Sequence, residues 1–437
     1  MNRFSLVTGL LALSALCHAQ APPTLTGKWT ITLNFAGTTF YNNADFEQHG
    51  NQLSGRFTGD KLEGTINGAA VHFISKSDDG TTDEVHATLT GNSLSGTLEE
   101  TSPDAPKHPA HWTLTASPTP PLEHKTPQRH DFTPTVFYRQ FSPLNQPVLR
   151  VAPGDTIHTT TVDAGGQDEH SIARVIGGNP ETGPFYVIGA NPGDTLVVHI
   201  VHLKLNRDWA QSDDNIVDRG LNSDLAIKTR DNGKAIRWHL DLANGTASPE
   251  KPGDHMKNFS IPVKPMLGCI ATAPNPGNAP PATGDSGSYG GNMDFNEIGE
   301  GATVYLPVSN PGALLYFGDA HALQGDGEMN GNALETSMDV EVTVDVIPNT
   351  HLRNRRIETP DAIIAMGLQG SLDDAFKEAT ANMAQWLTED YKLTPSEVAQ
   401  FIGVASEFHI SEAADRNAGI VLKIAKSKLA RLTPVPK

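Results

Sequence analysis

The sequence predicts a mainly β protein. A small β-barrel or meander module comes first, then a layered, β-sandwich-like domain with C-terminal helices. Three observations carry that reading. Short runs alternate apolar and polar residues with a period of two, as half-buried strands do. Turn signals such as Asn67-Gly68, and two Pro-Gly-Asp-Thr segments, punctuate those runs. Glycine (40) and proline (31) are plentiful among the 437 residues, which favours short strands and many turns.

Residues 1–19 read as a signal peptide. Arg3 precedes an apolar run from Leu6 to Leu13, and Cys17-His18-Ala19 ends it with small residues at the cleavage positions. The run is too short for a membrane span, and no later stretch is long and apolar enough to cross a bilayer. Bulky Leu16 argues against a lipid anchor on Cys17. The mature protein is expected to be exported, to a periplasm or outside the cell. Cys269 is then its single cysteine, so no intrachain disulfide forms. Its apolar surroundings, Pro265 to Ile270, mark it as a small hydrophobe rather than a nucleophile, which needs a paired base. The formal charge of −18 argues against nucleic acid or an anionic membrane as partner. It suits a soluble protein acting on a small molecule.

Residues 20–117 form the first module. Lys28 to Leu33, Leu62 to Ile66 and Ala69 to Ile74 alternate, and Asn67-Gly68 between the last two signals a type I′ hairpin. Gly50-Asn51-Gln52-Leu53-Ser54-Gly55 recurs as Gly91-Asn92-Ser93-Leu94-Ser95-Gly96, an echo that a closed meander of hairpins would produce. His49, His72 and His86 are scattered over the strands without ligand spacing and read as surface or packed residues. Residues 118–134 are rich in Pro, Lys, His and Thr and read as a stiff linker.

Residues 135–437 form the second domain, with a β core to about 349 and a helical part over 350–437. Pro153-Gly154 and Pro192-Gly193 fit the central positions of type II turns leading into strands. Further strands are expected over Val304–Val308, Leu314–Phe317 and Val340–Ile347. Ser371 caps one helix, and Thr394-Pro395-Ser396-Glu397 is a capping box for another, with Leu393 and Val398 as its hydrophobic staple.

Three glycine-flanked segments carry the chemistry. They are Val162-Asp163-Ala164-Gly165-Gly166, Gly290-Gly291-Asn292-Met293-Asp294, and Gly318-Asp319-Ala320-His321 running on to Gly325-Asp326-Gly327-Glu328. Each places a carboxylate where backbone can approach a ligand closely. Together they offer the oxygen and imidazole ligands that suit zinc or a similar divalent ion. Asp163 or Asp294 taken singly also fits turn capping, and Asp326 fits support of its own turn. Asp319 and His321, two apart on a strand-like segment, face one side and could reach one ion. A His321 merely bonded to Asp319 is the structural alternative.

Four motifs in order resemble the acetamidase/formamidase family. They are Asn179-Pro180-Glu181-Thr182-Gly183-Pro184-Phe185 with Gly189 to Thr195, Pro265-Met266-Leu267-Gly268 with Ala273-Pro274, Gly290 to Asp294, and Gly318 to Glu328. The resemblance covers roughly Thr135 to Leu432 and leaves out the first module. Cys269-Ile270-Ala271-Thr272 departs from the glycine- and valine-rich form of its motif. The resemblance implies hydrolysis of a small linear amide to carboxylate and ammonia, a mostly β fold, a metal ion and a homo-oligomer. The site expected from the three segments has Asp163, Asp294, Asp319 and His321 holding a divalent ion, zinc favoured over calcium, and Glu328 as general base and acid. The competing readings are a metal-free carboxylate–His pair in the same fold, and an exported binding protein without turnover.

Overall fold

The computed structural model describes residues 24–432, except 124 and 278. The expected signal peptide lies outside the described residues.

The first module is a closed barrel of eight antiparallel strands in sequence order, from Gly27–Phe35 to Ala110–Pro118, whose first and last strands pair. Alternating residues such as Leu53, Leu62, Phe73, Val85 and Leu98 fill its interior. The echo marks equivalent places in this wall. Gly50 (φ 61°) and Gly91 (φ 58°) each open a hairpin loop. A Cβ on Gly55 or Gly96 would lie 1.9 or 2.1 Å from a carbonyl oxygen of the neighbouring strand. The hairpin near residue 67 differs in detail from the expected one. Asn67 pairs with Ala70, so the loop is Gly68-Ala69, and only Gly68 has positive φ, the pattern of a II′ rather than a I′ turn.

The chain joins the second domain at Arg129–Asp131, ahead of residue 135, where a short strand lies parallel to Thr156–Thr160. A nine-stranded sheet and a seven-stranded sheet make up the sandwich. The long strand Met338–Ile347 alternates buried and half-exposed residues. Its Val340, Val342 and Val344 share one core with Leu196, Val304, Phe185, Leu315 and Phe317. Both Pro-Gly turns form as read, with Gly154 at φ 90° and Gly193 at φ 86°. The side chains of Asp155 and Asp194 lock them by accepting from Ala152 N and Asn191 N. A four-stranded sheet over residues 209–262 flanks the second domain.

The helices Leu372–Tyr391 and Pro395–Ala405 carry the expected caps, Ser371 and the Thr394/Glu397 box. The first lies on the outer face of the nine-stranded sheet, where a Cβ on Gly367 would meet Ala375 O at 1.9 Å. The expectation that residues 350–437 are helical needs correcting. Strands Ala362–Gln369, Ser406–Ile410 and Ala418–Ala425 extend the nine-stranded sheet there. Ala362–Leu368 is apolar without alternation because the sheet is covered on both faces, and such a run has no strand period to read.

Candidate functional site

Strands Met266–Ala271 and Leu315–His321 pair in the seven-stranded sheet. Both switch faces midway. Leu315, Phe317 and Ala320 all enter the core between the sheets, as do Leu267 and Ile270. The switch occurs at Asp319, whose φ is 52°, opposite Gly268. It turns Asp319 and His321 toward the cavity side. A Cβ at Gly268 would lie 2.4 Å from both Asp294 Oδ1 and Asp319 Oδ2, so glycine is required for the two carboxylates to rest there. Asp294 (φ 38°) and Glu328 (φ 44°) also hold the left-handed backbone that side chains rarely adopt. Three acidic residues in costly conformations around one point mark a functional site.

These groups face a cavity of ≈ 710 Å³, also lined by Asp163, Asn179, Asn292, Glu335 and Asp415. His321 is buried behind this lining, among the carboxylates. Gln324 Nε2 donates to Asp294 O (2.6 Å) and to Ser411 O (3.1 Å). Gln324 Oε1 must therefore accept, and His321 Nδ1, 2.9 Å away, carries the proton. His321 Nε2 then points at three carboxylates: Glu335 Oε1 at 3.1 Å, Asp319 Oδ1 at 3.3 Å and Asp294 Oδ1 at 4.0 Å. Asp294, His321 and Glu328 form one group of ligand atoms within 4.8 Å of each other, and Asp319, His321 and Glu335 form another. Asn292 Nδ2 bridges Asp294 Oδ2 and Asp415 Oδ2.

The charges are crowded and dry. Burial, reinforced by Glu328 and Asp319, drives Asp294 well above the usual carboxylate range. Burial likewise lifts Glu328 far up, with His321 opposing and Glu335 adding. Burial and Asp319 push Glu335 up to about 7, against the pull of His321. Asp319 stays low despite burial because His321 faces it. His321 is raised, against its own burial, by Glu335 and Asp319. Asp294 Oδ1 and Glu335 Oε2 are buried with no hydrogen-bond partner. Carboxylates in such surplus are stable only with protons or with a cation among them. The residues fit a divalent ion: oxygen donors, one imidazole, and lone pairs left free.

Four of the five expected site residues meet here: Asp294, Asp319, His321 and Glu328. Asp163 lines the same cavity but takes no part in either ligand group. Its Oδ2 accepts from buried Arg207 at 2.7 Å and its Oδ1 from Gln167 N at 2.8 Å. The expected assignment of Asp163 as a ligand is corrected to an ion-pair partner of Arg207, which the sequence reading overlooked. Glu335 was also overlooked; it bridges to His321 as an isolated β-pair from a segment without glycines. Asp326 is exposed and tied to Asn296 and His409. Cys269 is fully buried beside Glu181, and burial pushes its thiol well above the ordinary range, as befits a packed hydrophobe.

The comparisons converge on one family. The acetamidase/formamidase family model matches residues 281–415, which include Asp294, Asp319, His321, Glu328 and Glu335. A stretch of 61 residues is 39% identical to a candidate formamidase of Schizosaccharomyces pombe, covering 14% of this chain and 15% of that relative's length. The fold is similar to that of a predicted acetamidase/formamidase from the thermophile Thermoanaerobacter tengcongensis, with 27% identity, TM-score 0.61, and coverage of 70% of this chain and 99% of that one. It is also similar to an acetamidase from Bacillus halodurans, with 26% identity, TM-score 0.58, and coverage of 69% and 99%. Through its second domain, the chain is similar to the acetamidase/formamidase family, in sequence over residues 281–415 and in fold to the two solved structures.

Proposed function

We propose that this protein hydrolyses the C–N bond of a small linear amide, of the formamide or acetamide type, to carboxylate and ammonia. One observation carries the reading. His321 holds its proton on Nδ1 and aims Nε2 into a cluster of buried carboxylates, two of which leave oxygens unpaired. A divalent ion, zinc favoured over calcium because an imidazole is in the set, would be held by Asp294, Asp319, His321 and Glu335. When bound, such an ion polarises a carbonyl and makes water a nucleophile near neutral pH. Gln324 fixes the ring of His321 through Nδ1, so that Nε2 is the atom that would face the ion. Glu328, anchored by Ala333 N at 2.9 Å, takes the proton of the attacking water and returns it to the leaving nitrogen. Deep burial excludes bulk water from these transfers and strengthens every charge interaction.

The test is ammonia release from a panel of formamide, acetamide and longer aliphatic amides, with metal content measured on the same preparation. Turnover with bound divalent metal supports the proposal; an inert protein on the whole panel refutes it. A second reading rests on His321 being raised by Glu335 and Asp319. An imidazolium bridging those carboxylates would activate water without an ion, and turnover by protein free of metal would favour it. Export through residues 1–19 and assembly of identical copies belong to the same proposal. Cell fractionation and light scattering check them.

A further inference from the structure

We propose that the outer wall of the N-terminal barrel carries a separate site for a divalent transition-metal ion, built by His72, Glu84 and His86. The sequence places these histidines on different strands without ligand spacing; the register brings them together. His72 lies directly opposite His86, and Glu84 lies two residues from His86 on the same face. The two rings stack with centroids 4.5 Å apart. Both aim Nε2 at one oxygen, Glu84 Oε1, at 2.9 Å from His72 and 3.3 Å from His86. The three ligand atoms lie within 4.8 Å of one another. All three side chains are open to solvent, between 40% and 63% exposed, so an ion can reach them.

A second observation points the same way. Glu99 sits directly across from Glu84, a like-charge pair that costs stability unless a cation lies near it. His111 extends the row opposite Glu99, with Nδ1 3.5 Å from its Oε2. Exposed His–carboxylate pairs contribute little to stability by themselves, so packing gives no reason for this convergence. Two imidazoles and one carboxylate select zinc, copper(II) or nickel(II) over calcium or magnesium. Water completes the coordination. The site shares no residue with the cavity of the second domain.

Calorimetric titration of the chelator-stripped, full-length protein with Zn²⁺ tests this. Wild type is expected to bind one equivalent per chain that His72→Ala/His86→Ala lacks, with amide hydrolysis unchanged between the two. With Cu²⁺, the wild-type electron paramagnetic resonance spectrum gains nitrogen couplings that the double variant does not show. The variant His72→Gln/His86→Gln, closer in size, replaces the alanine pair if that pair misfolds. Equal stoichiometry in wild type and variant, or matching copper spectra, overturns the proposal. Neither readout depends on whether the cavity of the second domain binds metal or turns over amide.

Discussion

Replacing Arg207 by methionine tests what Asp163 does. The two side chains are 2% and 7% exposed and meet at 2.7 Å. The guanidinium also donates to Trp209 O and Thr336 Oγ1 and lies 3.6 Å over the Trp209 ring. Arg207→Met leaves a buried carboxylate without its cation, which costs about 3–5 kcal/mol. At the size of the second domain that lowers the melting temperature by roughly 5–8 °C. Adding Asp163→Asn removes the stranded charge while keeping the acceptor for Gln167 N. The double variant should therefore recover most of the loss, since neutral replacement of a buried pair is often close to free of cost. Thermal melts of wild type, Arg207→Met and the double variant, with metal analysis of each, make the assay. A double variant no more stable than the single one, or one stripped of metal, refutes the ion-pair assignment and restores Asp163 as a ligand.

Glu328→Gln should abolish ammonia release while metal content and melting temperature hold; near-normal turnover rejects it as the proton carrier. Glu335→Gln should lower both bound metal and turnover, measured on one preparation by elemental analysis and ammonia release. Asp83 in the barrel is pushed up to about 6 by burial, then by Glu100, Asp60 and Asp79. A carboxyl raised in the folded state lends stability that is complete below its unfolded pKa and is lost as pH rises through about 6. Asp83→Asn should thus raise the barrel's melting temperature at pH near 7 and leave it unchanged near pH 4. Thr394→Ala removes the hydroxyl that accepts from Glu397 N, leaves the bond from its own backbone N–H to Glu397 Oε2, and should cost about 1 kcal/mol in a denaturant titration.

Much of the architecture is local and was readable. The Pro-Gly turns, the capping box and the alternating strands of the barrel each depend on a few adjacent residues. The apolar strands after residue 350 were not readable, because a run buried on both faces carries no period. Asp294, Asp319, His321 and Glu328 announced themselves by their glycine neighbours, and the reason lies in backbone geometry. Gly268 makes room for two carboxylates, and three of the four residues sit at positive φ. Asp319 and His321 do share a side by alternation, and the inversion of the strand at Asp319 decides that this side is the cavity rather than the core. Glu335 and Arg207 come from segments with no distinguishing neighbours, and only the bridge to His321 and the ion pair to Asp163 reveal them. The barrel histidines were invisible for a related reason: cross-strand register is a long-range property that spacing along one strand does not encode.

The pairing of the first and last barrel strands places Trp29 beside Pro118. The module therefore begins and finishes at one spot, and it also rests on its host, where Asn43 Nδ2 donates to Pro192 O at 2.9 Å. No unpaired strand is exposed by its presence, and none would be bared by its removal. A unit of that kind can be exchanged by splicing at one junction, provided its replacement also meets the Pro192-Gly193 turn that Asn43 touches.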